Sequence, residues 1–151
     1  MNLYAESSAV LAWLMGEPAG ELARRSLAEA DRVLASALTA LECARAVGRA
    51  ATAGRLAAAE ELAALRLLDV AEAGWDVHDL SDRVLARARL RFPVEPLRTL
   101  DALHLATASL FCESLGRLTL LSFDERIRAN APGLGLDLIP RQLESPAFAR
   151  P

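Results

Sequence analysis

The chain contains no lysine; all 17 of its basic residues are arginine. That absence excludes a Walker-type phosphate-binding lysine, a Schiff-base lysine, and the lysine expected of a phospho-receiver domain. Cysteine is scarce as well. Cys43 and Cys112 stand apart in apolar helical patterns, without the C-x-x-C or His-rich spacing of a zinc or redox site. They read as small buried hydrophobes of a reducing cytoplasm. Aromatics make up 5% of the residues and show no RNP-like interleaving. No apolar run reaches the roughly 18 residues that a spanning helix requires. The start MNLYAESSAV has no basic stretch ahead of an apolar one, so no signal peptide is expected. Net charge is −3, which makes any nucleic-acid contact a local affair or one assisted by a bound cation.

What is present suits one domain with a sizeable core: 151 residues, 53% of them apolar. Strand-sized runs alternate with helical patterns. Strands are expected at 2–5, 32–35, 68–70, 118–121 and 136–139. Helices are expected at 8–15, 19–30, 38–53, 55–68, 77–91, 99–115 and 124–131. Alternation of this kind predicts an α/β fold with a parallel sheet covered by helices. Residues 1–140 read as a single domain and 141–151 as a C-terminal tail of little periodicity.

Four acids fall where strands end or helices begin: Glu6, Glu42, Asp101 and Asp124. In an open α/β sheet the carboxyl ends of the strands share one crevice, so such residues can meet there. Clustered carboxylates repel one another unless a hard cation neutralises them, and their oxygens suit Mg²⁺ or Mn²⁺. Each acid also has an ordinary reading. Thr39-x-x-Glu42 is a capping box, and Glu42 can pair with Arg45 one turn on. Thr99 is a candidate N-cap that leaves Asp101 in the first turn, favoured by the helix dipole. Ser122-x-x-Glu125 offers a further capping box beside Asp124, and Glu6 alone is a solvated turn residue. His104 reads as a hydrogen-bonded core residue, and Arg83, Arg87 and Arg91 as a solvated helix face.

The segments LYAESSAVLAWLMGEP, TALECARAV, RTLDALHLATA and LTLLSFDERIRANAPGLGL together resemble the PIN-domain family, and within it the VapC-type toxin ribonucleases of toxin–antitoxin pairs. The resemblance implies a three-layer α/β/α sandwich and a metal-dependent endoribonuclease. It implies an acidic pocket of Glu6, Glu42, Asp101 and Asp124 holding Mg²⁺ or Mn²⁺, with Asp101 and Glu6 as direct ligands. Ser8 would orient Glu6, and Arg45 and Arg98 would neutralise the acids or touch RNA. It further implies a homodimer, and a VapB-like antitoxin lying in an apolar groove near Val10, Leu11, Leu14, Leu22, Leu56, Leu62 and Leu65. One position departs from the family pattern, which has Asp where this chain has Glu6. The alternative expectation is therefore a catalytically impaired module that still binds RNA or antitoxin.

Overall fold

The computed structural model describes residues 1–143; of the expected tail, 144–151 lie outside the described residues. The chain runs β1 (Asn2–Ala5), α1 (Ser7–Leu14), α2 (Gly20–Glu29), β2 (Arg32–Ser36), α3 (Ala37–Thr52) and α4 (Ala58–Glu72). It continues through β3 (Asp76–His78), α5 (Asp82–Ala88), α6 (Thr99–Leu115), β4 (Thr119–Leu121) and α7 (Glu125–Asn130), then a 3₁₀ turn and β5 (Asp137–Ile139). All the strand pairings are parallel, in the order β3-β2-β1-β4-β5. The fold is an α/β/α sandwich.

Strand alternation separates the two helical layers. Tyr4, Leu34 and Leu120 pack with residues of α5, α6 and α7 in the larger core cluster. Leu3, Ala5 and Leu121 face the other way, toward α1, α2, α3 and α4. Gly20 permits close packing of α2 on α1, since a Cβ there would collide with the Ala12 carbonyl. Gly116 ends α6 at φ 76°, a left-handed cap that glycine enters without steric cost. Among the described residues no helix is long and apolar enough to cross a membrane.

The expected strand at 68–70 is absent, because α4 carries on to Glu72. Only Ala64 and Leu68 of α4 are buried, and Val70 is 75% exposed, so that apolar run forms one narrow helical contact rather than a sheet position. The third strand instead lies at Asp76–His78, inside the segment expected to begin a helix. It pairs along Leu34, Ala35 and Ser36, and Arg32 and Asp76 form an ion pair across the two strands. Helix α5 starts only at Asp82, where the Ser81 hydroxyl accepts from the Val84 N–H at 3.4 Å. It stops at Ala88, leaving residues 89–98 outside regular structure.

The sheet order has one reversal. From β1 the chain moves to β2 and β3 on one side, then returns to β4 and β5 on the other. Ligands of open α/β sheets bind beyond the carboxyl ends of the strands at this switch point, here between β1 and β4. Glu6 immediately follows β1, and Ser122 immediately follows β4.

Candidate active site

A cavity of about 390 Å³ opens at the switch point, and Glu6, Glu42, Asp101 and Asp124 all line it. Ser7, Ser8, Arg49, Arg98 and His104 share its wall.

Glu6 is the N-cap of α1 and is 3% exposed. Its Oε1 accepts from the Ser8 N–H at 3.1 Å. Its Oε2 accepts from the Ser8 hydroxyl and, at 2.7 Å, from the Ser122 hydroxyl. Both hydroxyls are free to donate because their oxygens already accept backbone amides, from Phe123 at 2.8 Å and Asp124 at 3.1 Å. The ends of β1 and β4 are thus laced together through one carboxylate. Ser7 Oγ stands 2.8 Å from both Glu6 Oε1 and Glu42 Oε2, and its single proton serves one of them at a time.

Glu42 sits on α3, and the expected capping box does not form. Ser36 caps α3 instead, accepting from the Leu38 N–H at 3.2 Å, while the Thr39 hydroxyl donates to the Ala5 carbonyl at 3.1 Å. Glu42 is therefore available to the cavity, where Oε2 lies 2.6 Å from His104 Nε2. His104 is 2% exposed, and its Nδ1 meets the Tyr4 hydroxyl at 3.1 Å. Burial alone would depress the His104 pKa; the Glu42 hydrogen bond and the charges of Glu6, Glu42 and Asp101 outweigh it and raise the pKa above 6.5. Burial would likewise raise the Glu42 pKa, but His104, Ser7 and Arg49 hold it below 4.5. Below its folded pKa the protonated His104 makes the pair an imidazolium–carboxylate bridge, and Glu42 Oε1 has no hydrogen-bond partner among the described residues.

A pH dependence follows. The raised His104 pKa adds stability that is complete below pH 6.5 and is lost as pH climbs through the folded value. The lowered Glu42 pKa adds stability that is complete above pH 4.5 and is lost as pH falls through the folded value. The bridge is strongest between those limits. The melting temperature of the metal-free protein is expected to fall as pH rises above 6.5, and His104→Gln to flatten that fall. Equal slopes in parent and variant would deny the bridge its charge.

Asp101 lies in the first turn of α6. The helix has no side-chain cap: Arg98 occupies the N-cap position, and Thr99, the expected cap, is the first helical residue. Oδ2 of Asp101 is buried without a hydrogen-bond partner, and the nearest cation, Arg126 Nη1, is 4.0 Å away. Burial raises the Asp101 pKa, Asp124 raises it further, and the Arg98 backbone and the guanidinium groups of Arg126 and Arg98 only partly counter them. Asp124, and not the expected Ser122, is the N-cap of α7. Its Oδ1 accepts from the Arg126 N–H at 2.9 Å and the Ile127 N–H at 3.4 Å, and Oδ2 has no hydrogen-bond partner among the described residues.

Three cavity-lining acids therefore have an oxygen that accepts no hydrogen bond from the described residues, that of Asp101 buried, whereas Glu6 has both oxygens engaged. A buried carboxylate oxygen without a partner is costly unless a cation meets it. Among the described residues no three acidic, histidine or cysteine side chains form a closed ligand cluster. The donors suit a hard divalent ion that keeps several waters, as Mg²⁺ does, rather than an all-protein cage.

The arginine expected beside Glu42 is corrected. Arg45 is exposed and does not line the cavity; Arg49 does, together with Ala46. At about 100° per residue, position 49 returns to within about 20° of position 42, whereas position 45 turns about 60° away from the side holding Ala46. Arg98 lines the cavity. Burial and the charges of Glu6 and Glu42 push the Cys43 thiol pKa upward, which excludes it as a nucleophile.

Sequence reasoning took Ser122 only for a helix cap and passed over Arg128. Arg128 is 7% exposed; it donates to the Ser122 carbonyl at 2.9 Å and the Pro140 carbonyl at 2.6 Å, holding the loop that presents Ser122 to Glu6. Nothing in the block DERIR marks that arginine apart from its neighbours. Arg87, assigned to a solvated face, lies over the Phe92 ring at 4.2 Å.

The chain is similar to known proteins over most of its length. The PIN domain profile matches residues 3–131. Ribonuclease VapC46 of Mycobacterium tuberculosis is 37% identical over 137 residues, spanning 91% of this chain and 95% of the relative. A solved structure described as a toxin–antitoxin complex from Klebsiella pneumoniae superposes with TM-score 0.59 at 18% identity, over 94% of this chain and 98% of the other, a likeness of fold.

Proposed function

This chain belongs to the PIN domain family and is of the VapC type, and from that premise we propose that it is a Mg²⁺- or Mn²⁺-dependent endoribonuclease toxin held in check by an antitoxin. The observation that carries the proposal is the orphaned Oδ2 of Asp101 in a cavity shared with three other acids. Asp101 would be the leading ligand for the ion, with Glu42, Asp124 and Glu6 as the other residues that would hold it. When bound, the ion supplies an activated water and stabilises charge growing on the scissile phosphate.

The protein's own groups do the rest. His104 and Ser7 fix Glu42 through Oε2, so its other oxygen faces the cavity in one orientation. The serines at positions 8 and 122 hold Glu6 between the two central strands. Arg49 and Arg98 bracket the acids and supply local positive charge for a phosphate in a chain of net charge −3.

The antitoxin reading gains from a hollow of about 280 Å³ that adjoins the cavity and shares Leu11, Ala46 and Arg49 with it. Leu62, Leu67 and Val70 are exposed on α4, one of the helices expected to receive an amphipathic segment. Val10 is withdrawn from that groove, because it is fully buried in the core with Ala5 and Cys43. A homodimer belongs to the same proposal, with size-exclusion chromatography as its measure.

The test is cleavage of an RNA panel with Mg²⁺, with Mn²⁺ and with EDTA. Cleavage is expected with either ion and none with EDTA; cleavage that survives EDTA overturns the metal-dependent reading. One observation favours a second reading, the complete engagement of Glu6. If the parent is inactive with both ions and Glu6→Asp cleaves, the chain is an impaired binding module.

A further inference from the structure

A second hollow, of about 400 Å³, lies beside the acidic cavity and joins it at Arg98 and Thr99. Its wall is apolar, with Leu85, Leu90, Leu97 and Leu103 contributed by α5, the 89–98 segment and α6. Leu90 is 63% exposed and Leu85 is 37% exposed, so apolar surface stands open to water.

The charge around this wall is predominantly positive. Arg89, Arg91 and Arg98 line the hollow. Arg89 and Arg91 have no acidic partner among the described residues, whereas Arg24, Arg32 and Arg117 each pair with an acid elsewhere. The one acid of the lining, Glu95, is already engaged: its two oxygens accept the Phe92 N–H at 3.1 Å and the Leu97 N–H at 2.8 Å.

The hollow is also preformed. Residues 89–98 have no regular structure, yet fully buried Asn130 accepts from the Val94 N–H at 2.8 Å and donates to its carbonyl at 3.0 Å. Arg87 stacks over Phe92 at the start of the same segment. An occupant would meet a surface already ordered, which reduces the entropy lost on binding.

An apolar wall with unpaired arginines, continuous with a phosphodiester-cleaving cavity, matches single-stranded nucleic acid: an unstacked base brings a flat apolar face and its flanking phosphates bring charge. A symmetric second copy would instead set the same arginines against one another. We propose that this hollow seats an unpaired nucleotide of the RNA substrate next to the scissile linkage, the base against Leu85, Leu90 and Leu97 and the phosphates on Arg89, Arg91 and Arg98. The proposal rests on the ribonuclease reading and adds to it a seat that selects where the strand is cut.

The double variant Leu90→Glu/Arg91→Glu tests it, since both side chains are exposed. Binding of a short single-stranded RNA carrying one 4-thiouridine is measured in EDTA by fluorescence anisotropy, with photo-cross-links mapped by mass spectrometry. The parent is expected to bind and to cross-link within residues 85–103. The double variant, with an unchanged melting temperature, should bind at least tenfold more weakly, with a salt slope reduced by about one. The seat needs no metal, so a parent without affinity in EDTA overturns it, while cleavage by that same parent in Mn²⁺ leaves the ribonuclease reading standing. Equal affinity of parent and double variant, cross-links confined to the Leu11–Arg55 side, or a loss of antitoxin binding with RNA affinity intact each overturn it too.

Discussion

Asp101→Asn is expected to lower cleavage at least a hundredfold, about 2.7 kcal/mol of transition-state stabilisation, while raising the melting temperature of the metal-free protein. The two effects share one cause. Asp101 carries a buried oxygen that accepts no hydrogen bond from the described residues, and burial and Asp124 both disfavour its charge. Because its folded pKa is raised above 3.8, the ionised form at neutral pH is a cost that the carboxamide removes. That charge is also what an incoming cation requires. Thermal melting in EDTA and cleavage in Mg²⁺ check the two halves separately. A fall of several degrees in EDTA would make Asp101 a structural first-turn acid and end its assignment as a ligand.

Glu6 should behave with the opposite sign in stability. Its carboxylate accepts from the Ser8 amide and from the hydroxyls of Ser8 and Ser122, joining the ends of β1 and β4. Glu6→Gln replaces charge-assisted bonds with neutral ones and is expected to cost about 2 kcal/mol of stability. Cleavage with either ion should drop at least tenfold, about 1.4 kcal/mol. The family pattern has Asp at this position, and Glu6 here caps its own helix with a side chain one methylene longer. Mg²⁺ is stricter about geometry than a larger ion, so the parent should favour Mn²⁺, and Glu6→Asp should raise cleavage in Mg²⁺ relative to Mn²⁺. Melting curves and paired rates in the two ions check this. A Glu6→Gln protein that melts and cleaves like the parent would remove Glu6 from both roles.

Much of this arrangement is local, and local features are legible in a sequence. The break at Gly116 and the apolar stretch before it mark α6, and LTLLS marks β4, because strand and helix periods are short-range properties of the chain. The same reasoning failed at 68–70 and 77–91. There the apolar residues do not report burial: Val70 and Leu67 are exposed, and β3 is an edge strand whose pairing with β2, rather than its own composition, makes it a strand.

By itself the sequence determined the parallel sheet covered by helices and the family resemblance, and it marked the four acids as candidates, since each depends on residue types at short spacing or on strand–helix alternation. Only the tertiary structure decided what each acid does with its oxygens. The serine donors around Glu6 come from positions 8 and 122, the His104 partner of Glu42 is 62 residues away, and Arg49 rather than Arg45 turns toward the cavity. Those contacts are set by the β1–β4 switch point and by the rotation of α3, both products of packing across the sheet. A carboxylate's neighbours through space carry no signature along the chain, which is why four similar acids in the sequence become three open oxygens and one satisfied cap in the fold.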